Sequence, residues 1–244
     1  MTLITIAAPA YNEEKNINKC ISDWTKALEA EDVKNYEIVI CNDCSTDSTK
    51  VVVENAQATN NKIQLVNHEV NKGAAAAVIT AGNKAIGENI IFIDSDGQFP
   101  TESLREIIRG VKANPNTNIF GYRDIKKDNL PQKLGTKLTS FLYNICNPKR
   151  RLKDASCILK SFTSKNYQNL KLKSSGLNVS TEMSSRSAEL KQKYVEVLIK
   201  HRPRVHGESS AAGVKVIKHG IKRVSILIYF IFRKAGIILG LLNP

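Results

Sequence analysis

The chain has 244 residues, of which 42% are hydrophobic and 24% are charged. This composition excludes a disordered chain, and the length suits one sizeable α/β domain with room for an appendage. The net charge of +13 is uneven, because residues 1–121 carry −5 and residues 122–244 carry +18. An acidic half suits a metal site. A basic half suits a polyanion (nucleic acid, pyrophosphate or an anionic membrane), although a solvated basic surface without function would give the same count.

The first half of the chain alternates short apolar runs with helical periodicity. Buried strands are predicted at 3–8, 36–41, 63–67 and 89–93, and helices between them at 13–30, 45–59 and 73–86, the second capped by Ser45 or Asp47. Three successive strand–helix–strand steps predict a mostly parallel sheet with right-handed crossovers. The polar segments 9–13, 42–47 and 94–98 follow strands, where such sheets bind ligands.

The pattern is looser after residue 121. A helix is predicted within 134–145, a strand at 156–162, a helix at 181–192 and a strand at 194–199. No internal repeat or low-complexity linker interrupts the chain, so we predict one domain followed by a tail. Trp24, the only tryptophan, is predicted to lie in the core.

The predicted tail, residues 221–242, is apolar but contains Arg233 and Lys234 near its centre. A helix of this length would reach roughly 33 Å, enough to cross a bilayer. The two central cations would cost about 2.5–3.5 kcal/mol each, so we expect two short helices lying in the membrane interface. A spanning helix, or an apolar helix packed on the domain or in a dimer, are the alternatives.

The five cysteines are an odd number in a chain too long to need disulfide staples, and no signal peptide follows Met1. Both features predict reduced thiols in the cytoplasm. Cys41 and Cys44 form a CxxC pair, but no second Cys or His pair lies nearby, which argues against a zinc or redox site.

Asp94-Ser95-Asp96 closes the fourth predicted strand with two carboxylates, which can converge on one hard cation such as Mg²⁺ or Mn²⁺. Gln98 adds a neutral oxygen. A metal at this position would bridge the phosphates of a nucleotide diphosphate and neutralise the leaving group. Acidic turns are common, so the weight of this motif depends on its neighbours.

Four motifs occur in order within residues 4–100. Segment 9–13 reads P-A-Y-N-E, segment 42–47 reads N-D-C-S-T-D, segment 71–73 reads N-K-G and segment 94–100 reads D-S-D-G-Q-F-P. Together they resemble the family 2 glycosyltransferases of GT-A fold. The last motif is similar to the form found in the dolichol-phosphate mannosyltransferase branch of polyprenyl-phosphate glycosyltransferases.

The second half resembles the same branch less closely. Gly121-Tyr122-Arg123 resembles a G-S-R motif, segment 154–160 resembles D-x-x-C/S-G-F-K, and segment 204–209 resembles R-x-x-G-E-S. The departures are Tyr122 for Ser, Ile158-Leu159 for Gly-Phe, and Ser210 where a lysine usually follows. The acceptor side is therefore less typical of the branch than the donor side.

The resemblance implies a role for each matching residue. Residues expected to bind the donor nucleotide-sugar are Pro9, Tyr11, Glu13, Asp43, Lys72, Asp94, Arg123 and Lys133, and those expected to hold the metal are Asp94, Asp96 and Gln98. Arg123, Lys133 and Arg204 would hold phosphates of the donor or of the lipid acceptor, and Asp96 would act in catalysis through the metal. Glu182 would position the acceptor, or act as a general base if the acceptor is a hydroxyl.

The resemblance implies an inverting hexosyltransferase that takes a sugar from a GDP- or UDP-sugar to a dolichyl or undecaprenyl phosphate, at the cytoplasmic face of an anionic membrane. It divides the chain into a domain over 1–215, with donor half 1–121 and acceptor half 122–215, and a membrane-associated tail over 216–244. A membrane-anchoring subunit is a further candidate partner.

Two other functions remain open. The acceptor could be a saccharide in glycan or surface-polysaccharide synthesis, or the chain could be a non-catalytic membrane or nucleic-acid binder that keeps the fold. Aromatic residues make up 6% of the chain and no nucleic-acid recognition motif is present, so we expect no nucleic-acid partner.

Overall fold

The computed structural model describes residues 3–124, 130–173 and 179–204. The strands are β1 (Ile4–Ala10), β2 (Tyr36–Asn42), β3 (Ile63–Asn67), β4 (Asn89–Phe92), β5 (Asn118–Arg123), β6 (Lys160–Thr163) and β7 (Tyr194–Ile199). The helices are α1 (Ile17–Ala30), α2 (Thr49–Thr59), α3 (Ala74–Lys84), α4 (Thr101–Ala113), α5 (Leu130–Cys146), α6 (Ser164–Leu170) and α7 (Val179–Glu189). The predicted domain boundary at 215 and the predicted tail lie outside the described residues.

The strands form one seven-stranded sheet in the order β3-β2-β1-β4-β6-β5-β7. β1 pairs in parallel with β2 and with β4, and β5 pairs in parallel with β7. β6 is antiparallel to both of its neighbours, so β5 runs in the same direction as β4. The predicted mostly parallel α/β sheet is thus confirmed, and the loops after β1, β2, β4, β5 and β7 meet at one edge.

The first four strands lie within two residues of their predicted bounds, but five other elements begin or end elsewhere. The helix predicted at 45–59 begins at Thr49, and the helix predicted within 134–145 begins at Leu130. The helix predicted at 13–30 begins at Ile17, because Glu13 first makes a turn in which its carbonyl accepts from the amides of Asn16 and Ile17. The strand predicted at 156–162 begins only at Lys160, and the helix predicted at 181–192 is Val179–Glu189. No element was predicted for α4, β5 or α6.

Aliphatic side chains of β1, β2 and β4 form the core, and helices cover both faces of the sheet. Trp24 on α1 is buried, as predicted. No helix within residues 3–124, 130–173 and 179–204 combines the length and the apolar character needed to cross a bilayer.

α3 packs against the core at Gly82, where a side chain has no room. A Cβ there would lie 2.8 Å from Cε1 of Phe92 and 2.6 Å from Cζ of Tyr167. Both rings are buried, and the Tyr167 hydroxyl donates to the carbonyl of Ile79. The aromatic pair therefore fixes how closely α3 approaches the sheet.

We expect Gly82→Ala to lower the free energy of unfolding by about 1–3 kcal/mol, because overpacking against Phe92 and Tyr167 outweighs the better helix propensity of alanine. Urea denaturation measures this, with exposed Lys84→Ala in the same helix as control, expected within about 0.5 kcal/mol of the parent. A Gly82→Ala protein as stable as the parent would contradict the close packing.

Candidate functional site

Hydrogen bonds join the carboxyl ends of the neighbouring strands β2, β1 and β4 and the loops that follow them. The Ser95 hydroxyl, in the loop after β4, donates to the carbonyl of Pro9 at 2.6 Å. The amide of Asp43, just after β2, donates to the carbonyl of Ala10 at 2.9 Å. The predicted ligand segments 9–13, 42–47 and 94–98 are thus neighbours in the fold.

Arg204 connects two acidic residues from different loops. Its Nη2 lies 2.5 Å from Oε1 of Glu13 and 3.6 Å from Oδ2 of Asp96. The other Glu13 oxygen accepts from Nδ2 of Asn16 at 2.7 Å. Burial raises the pKa of Glu13, Asn16 and Arg204 act in the opposite direction, and nearby Asp96 adds to the rise. The structure therefore brings together Glu13, Asp96 and Arg204, three residues that come from three of the predicted motifs.

Asp94 lies at the end of β4 beside this cluster. Its carboxylate forms no hydrogen bond or ion pair within the part of the chain that the structure describes. Burial raises the pKa of Asp94, and the negative charge of Asp96 raises it further, while Arg204 and Arg123 counteract part of the rise. Two mutually repelling carboxylates at one strand end fit a divalent cation, since a cation would relieve that repulsion.

The donor set is compatible with Mg²⁺ or Mn²⁺ but does not form a complete cage. Asp94, Asp96 and the Gln98 amide offer the oxygen ligands that these ions prefer. No group of three or more His, Cys, Asp or Glu side chains able to hold a metal occurs among the described residues. A bound cation would therefore take its other ligands from substrate phosphates or water, as Mg²⁺ commonly does.

The segment after β7, residues 200–204, is hydrogen-bonded to the loop that carries Gln98. The amide of Arg202 donates to the carbonyl of Gln98 at 3.0 Å, and Nε of Arg202 donates to the carbonyl of Gly97 at 2.7 Å. The ring of His201 meets the ring of Phe99 edge-on at 5.4 Å. These contacts hold the chain where Arg204 reaches Asp96. The rest of the predicted 204–209 motif, and Ser210, lie outside the described residues.

Asp43 and its partners form a second polar network one strand away. Its carboxylate accepts from the amides of Lys72 and Gly73, each at 2.8 Å, and lies 2.7 Å from Nδ1 of His68. Asp43 is buried, whereas the side chains of Lys72 and Tyr11 are exposed at the same edge. Asp43 therefore shapes the turn that carries Lys72, in addition to the role predicted for it in nucleotide binding.

Asp47 ties the start of α2 to the first loop, but the N-cap residue of α2 is Ser48, so the prediction that Ser45 or Asp47 caps this helix is wrong. Its Oδ1 accepts from the amide of Thr49 at 2.9 Å, and its Oδ2 accepts from the amide of Glu14 at 3.1 Å. The motif residue Asn12 accepts from the amide of Thr46 at 2.8 Å. The two motifs 9–13 and 42–47 thus form one hydrogen-bonded unit.

Arg123, at the end of β5, is held by a buried acid. Its Nε lies 2.7 Å from Oδ2 of Asp154, and its Nη2 donates to the Ser156 hydroxyl at 3.1 Å and to Oγ1 of Thr136 at 3.3 Å. Burial by itself would raise the pKa of Asp154, but the adjacent guanidinium of Arg123 and the hydrogen bonds lower it below its usual value. Arg123 is therefore oriented before any ligand binds.

Glu182 lies on α7, and Lys133 lies on α5, the helix that contacts Arg123 through Thr136. Glu182 on α7 is buried, and its Oε1 accepts from the amide of Lys173 at 2.9 Å. α7 is fastened to the loop after Asp154, since the hydroxyl of Ser180 donates to the carbonyl of Cys157 at 2.6 Å. Lys133 is on α5, one turn before Thr136. Both residues therefore lie in the second half of the chain, Lys133 on the helix that contacts Arg123 and Glu182 on the helix that contacts the loop after Asp154.

The sequence model of "Glycosyl transferase family 2" matches residues 5–179. The chain belongs to this family.

Two curated relatives are similar over different parts of the chain. A dolichol-phosphate mannosyltransferase of Pyrococcus furiosus is 28% identical over 224 residues, which cover 88% of this chain and 61% of that protein. The glucosyltransferase WfgD of Escherichia coli, named for a GlcNAc-diphosphoundecaprenol acceptor, is 33% identical over 127 residues, covering 52% of this chain and 48% of that protein. The chain thus spans less than two thirds of either relative.

The fold is shared with a solved structure of glucosyl-3-phosphoglycerate synthase from Mycobacterium tuberculosis in complex with Mn²⁺, UDP and phosphoglyceric acid. The TM-score is 0.72, with 14% identity, over 94% of this chain and 78% of the other. At this identity the likeness shows the fold alone, and it confirms the GT-A architecture expected from the sequence.

In this family 2 chain, His68 is a residue of the site that the sequence analysis missed. It follows β3 directly, and its Nε2 lies 2.9 Å from the Thr80 hydroxyl on α3 and 3.5 Å from Sγ of Cys41. Burial raises the pKa of Cys41 to about 12, so this thiol is not an activated nucleophile. His68 instead links Asp43 to α3, and its place directly after a strand was the available signal.

We expect Asp154→Asn to destabilise the fold by about 3 kcal/mol at pH 7, because the variant leaves Arg123 without its buried partner charge. The folded-state pKa of Asp154 is below the ordinary value of about 3.9, so the ion pair stabilises the fold above that pH and is lost as the pH falls through the folded-state pKa. The stability difference between parent and variant should therefore shrink below about pH 4.

Urea denaturation between pH 7 and pH 3 measures this difference. Asp32→Asn is the control, because Asp32 pairs at 3.8 Å with Lys34 and 74% of its side chain is exposed. It should stay within about 0.5 kcal/mol of the parent throughout. A difference for Asp154→Asn that does not change with pH would contradict the assigned ion pair.

Proposed function

We propose that this chain transfers a hexose, with inversion, from a GDP- or UDP-sugar to a polyprenyl phosphate, using Mg²⁺ or Mn²⁺. The observation that carries the proposal is the cluster of Glu13, Asp94, Asp96 and Arg204 at the carboxyl edge of a family 2 fold. Such a cluster offers oxygen ligands for a cation and a guanidinium for phosphate in one place. The Pyrococcus relative that is similar over 88% of the chain is named for the same class of acceptor.

On the donor side, the proposal assigns the nucleotide to the loops after β1 and β2. Pro9, Tyr11, Glu13, Asp43 and Lys72 would surround base and ribose, with Asp94 reaching the ribose. Asp94, Asp96 and Gln98 would hold the cation, which supplies charge neutralisation for the departing nucleoside diphosphate. Arg204 would exchange part of its contact with Glu13 and Asp96 for the donor phosphates, since guanidinium binds phosphate in two-pronged fashion.

On the acceptor side, the nucleophile would be a phosphate oxygen that is already ionised near neutral pH. No proton has to be removed, so the protein's task is to hold the anion in line with the donor sugar. Arg123, fixed by Asp154, and Lys133 on α5 are the cations assigned to this task, and Glu182 would position α7 beside them. We place the reaction at the cytoplasmic face of a membrane, which the odd number of cysteines in the chain supports.

A saccharide acceptor is the second candidate, because the Escherichia coli relative is named for a sugar attached to a lipid diphosphate. A sugar hydroxyl must lose its proton during attack, so this reaction requires a general base. Glu182 is the acidic residue that the sequence assigns to the acceptor side, and it would take that role.

We expect Asp96→Asn to lower the transfer rate at least about 100-fold, because it removes a carboxylate ligand and weakens the site for the cation. The assay combines the purified chain, Mn²⁺, labelled GDP- or UDP-sugars and polyprenyl phosphate in detergent, and measures label extracted into organic solvent. Asp32→Asn, remote and exposed, is the matched control and should retain parental activity. Full activity of Asp96→Asn in excess chelator would refute the metal assignment.

Glu182→Gln separates the two candidate acceptors. Glutamine keeps the oxygen that accepts from the Lys173 amide, so the helix should remain in place. With a phosphate acceptor we expect less than about a tenfold loss in kcat and an unchanged pH profile, whereas loss of a general base costs about 10²–10⁴-fold and removes the acidic limb of the profile, on which the base becomes protonated. A loss in the larger range with polyprenyl phosphate would overturn the positioning role.

A further inference from the structure

α5 has two faces of opposite character. The inner face is buried and carries Thr136, Thr139, Ser140 and Tyr143. The outer face carries four large, exposed apolar side chains at helical spacing. They are Leu134 (66% exposed), Leu138 (49%), Phe141 (61%) and Ile145 (59%). At 1.5 Å per residue these four form a row roughly 16 Å long, here named the α5 stripe.

The α5 stripe is a continuous feature, unlike the other exposed apolar side chains. Tyr11, Val51, Val70 and Ile86 protrude singly from separate segments, which is ordinary for a protein surface. Val195 and Leu198 share β7, but they are three residues apart and therefore lie on opposite faces of the strand. Four large apolar side chains in one row expose a contiguous patch of the kind that marks an interaction surface. The stripe therefore calls for a partner with an apolar component.

The charge around α5 narrows the class of partner. Between residues 130 and 153 the chain has six Lys or Arg residues and no Asp or Glu. Lys137, Lys149 and Arg151 are exposed. A helix with an apolar row, flanking cations and no acid has the composition of one that lies in the interface of an anionic bilayer.

Two other occupants of the stripe would bring like charges together. A second copy of the chain would face one basic helix with another. Residues 205–244 of the same chain are apolar in part, but they hold six Lys or Arg residues and one Glu. An anionic phospholipid surface suits both features, because the apolar row can enter the lipid tails and the cations can bind the headgroups.

The inner face of α5 contacts the candidate acceptor site. Oγ1 of Thr136 accepts from Nη2 of Arg123 at 3.3 Å, and the Ser140 hydroxyl accepts from the amide of Ala155, next to Asp154, at 3.2 Å. An α-helix is about 10 Å across, so a membrane on the outer face would lie roughly one helix diameter from the guanidinium of Arg123.

We propose that the α5 stripe docks this protein on an anionic phospholipid bilayer and so sets Arg123 at headgroup depth. The docking follows from the exposed row and its charge. Its purpose, to deliver a lipid-borne phosphate to Arg123, rests on the proposed function.

A tryptophan at position 141 tests the docking at the stripe itself. Phe141→Trp is mixed with vesicles of phosphatidylcholine and phosphatidylglycerol that carry brominated acyl chains, and Val51→Trp on α2, where Val51 is 54% exposed, is the matched control. Trp24 is buried and supplies a constant background in both variants. We expect blue-shifted, quenched emission from position 141 and no change from position 51.

Three results would overturn the proposal. The first is equal emission changes at positions 141 and 51. The second is no quenching at position 141 while the protein sediments with the vesicles, since contact would then lie elsewhere. The third is blue-shifted emission at position 141 before any vesicle is added, since the stripe would then be covered by protein.

The double variant Leu138→Gln/Phe141→Gln gives a second measurement. We expect its partition coefficient onto the anionic vesicles to fall at least about tenfold, since two apolar side chains no longer enter the interface. Its urea denaturation should match the parent's, because both positions are solvent-exposed, and an unchanged partition coefficient would overturn the proposal. Failure of the proposed function would show separately, as no transfer by the unaltered chain to polyprenyl phosphate in detergent.

Discussion

The site depends on one physical constraint: several carboxylates lie at the same edge of the parallel sheet, and their negative charge must be compensated. Glu13 follows β1, and Asp94 and Asp96 follow β4, so the fold alone places three carboxylates near one another. Arg204 offsets that charge from the far end of the described chain, 191 residues beyond Glu13. The clamp of Arg202 on Gly97 and Gln98 makes this possible, because it holds the last segment over the acidic loop.

In this arrangement Arg204 offsets the negative charge of the sheet edge through contacts that a ligand can replace. Asp96 is 3.6 Å from Arg204, which is a looser contact than the 2.5 Å to Glu13, and Asp94 depends on more distant cations for compensation. A cation with its phosphate ligands can replace these weak contacts at small cost. Arg123 is different, since a buried acid holds it in two-pronged fashion, and its orientation is fixed before ligands arrive.

The sequence predicted the strands of residues 1–100 well and the elements after residue 121 poorly, for a physical reason. In residues 1–100 each strand is a short apolar run and each ligand loop follows directly from it, so local pattern and tertiary position coincide. β6 breaks that rule, because it runs antiparallel and its preceding loop is curled by the buried Lys160, whose Nζ donates to the hydroxyl of Ser180 on α7. His68 was missed because its role depends on contacts with Asp43 and Thr80 that no local pattern encodes.

The position of α5 in the fold explains part of the uneven charge of the two halves of the chain. Residues 1–121, which carry a net charge of −5, supply carboxylates at the sheet edge, and α5, which contacts Arg123 through Thr136, belongs to the basic half. Thr136 and Ser140 on the inner face connect that helix to the Arg123–Asp154 pair, so a force that seats α5 on a surface also positions the pair. A purely solvated basic face would need no apolar row, and a purely apolar contact would need no excess of cations. α5 carries both the apolar row and the flanking cations, and both are needed for the proposed docking on an anionic bilayer.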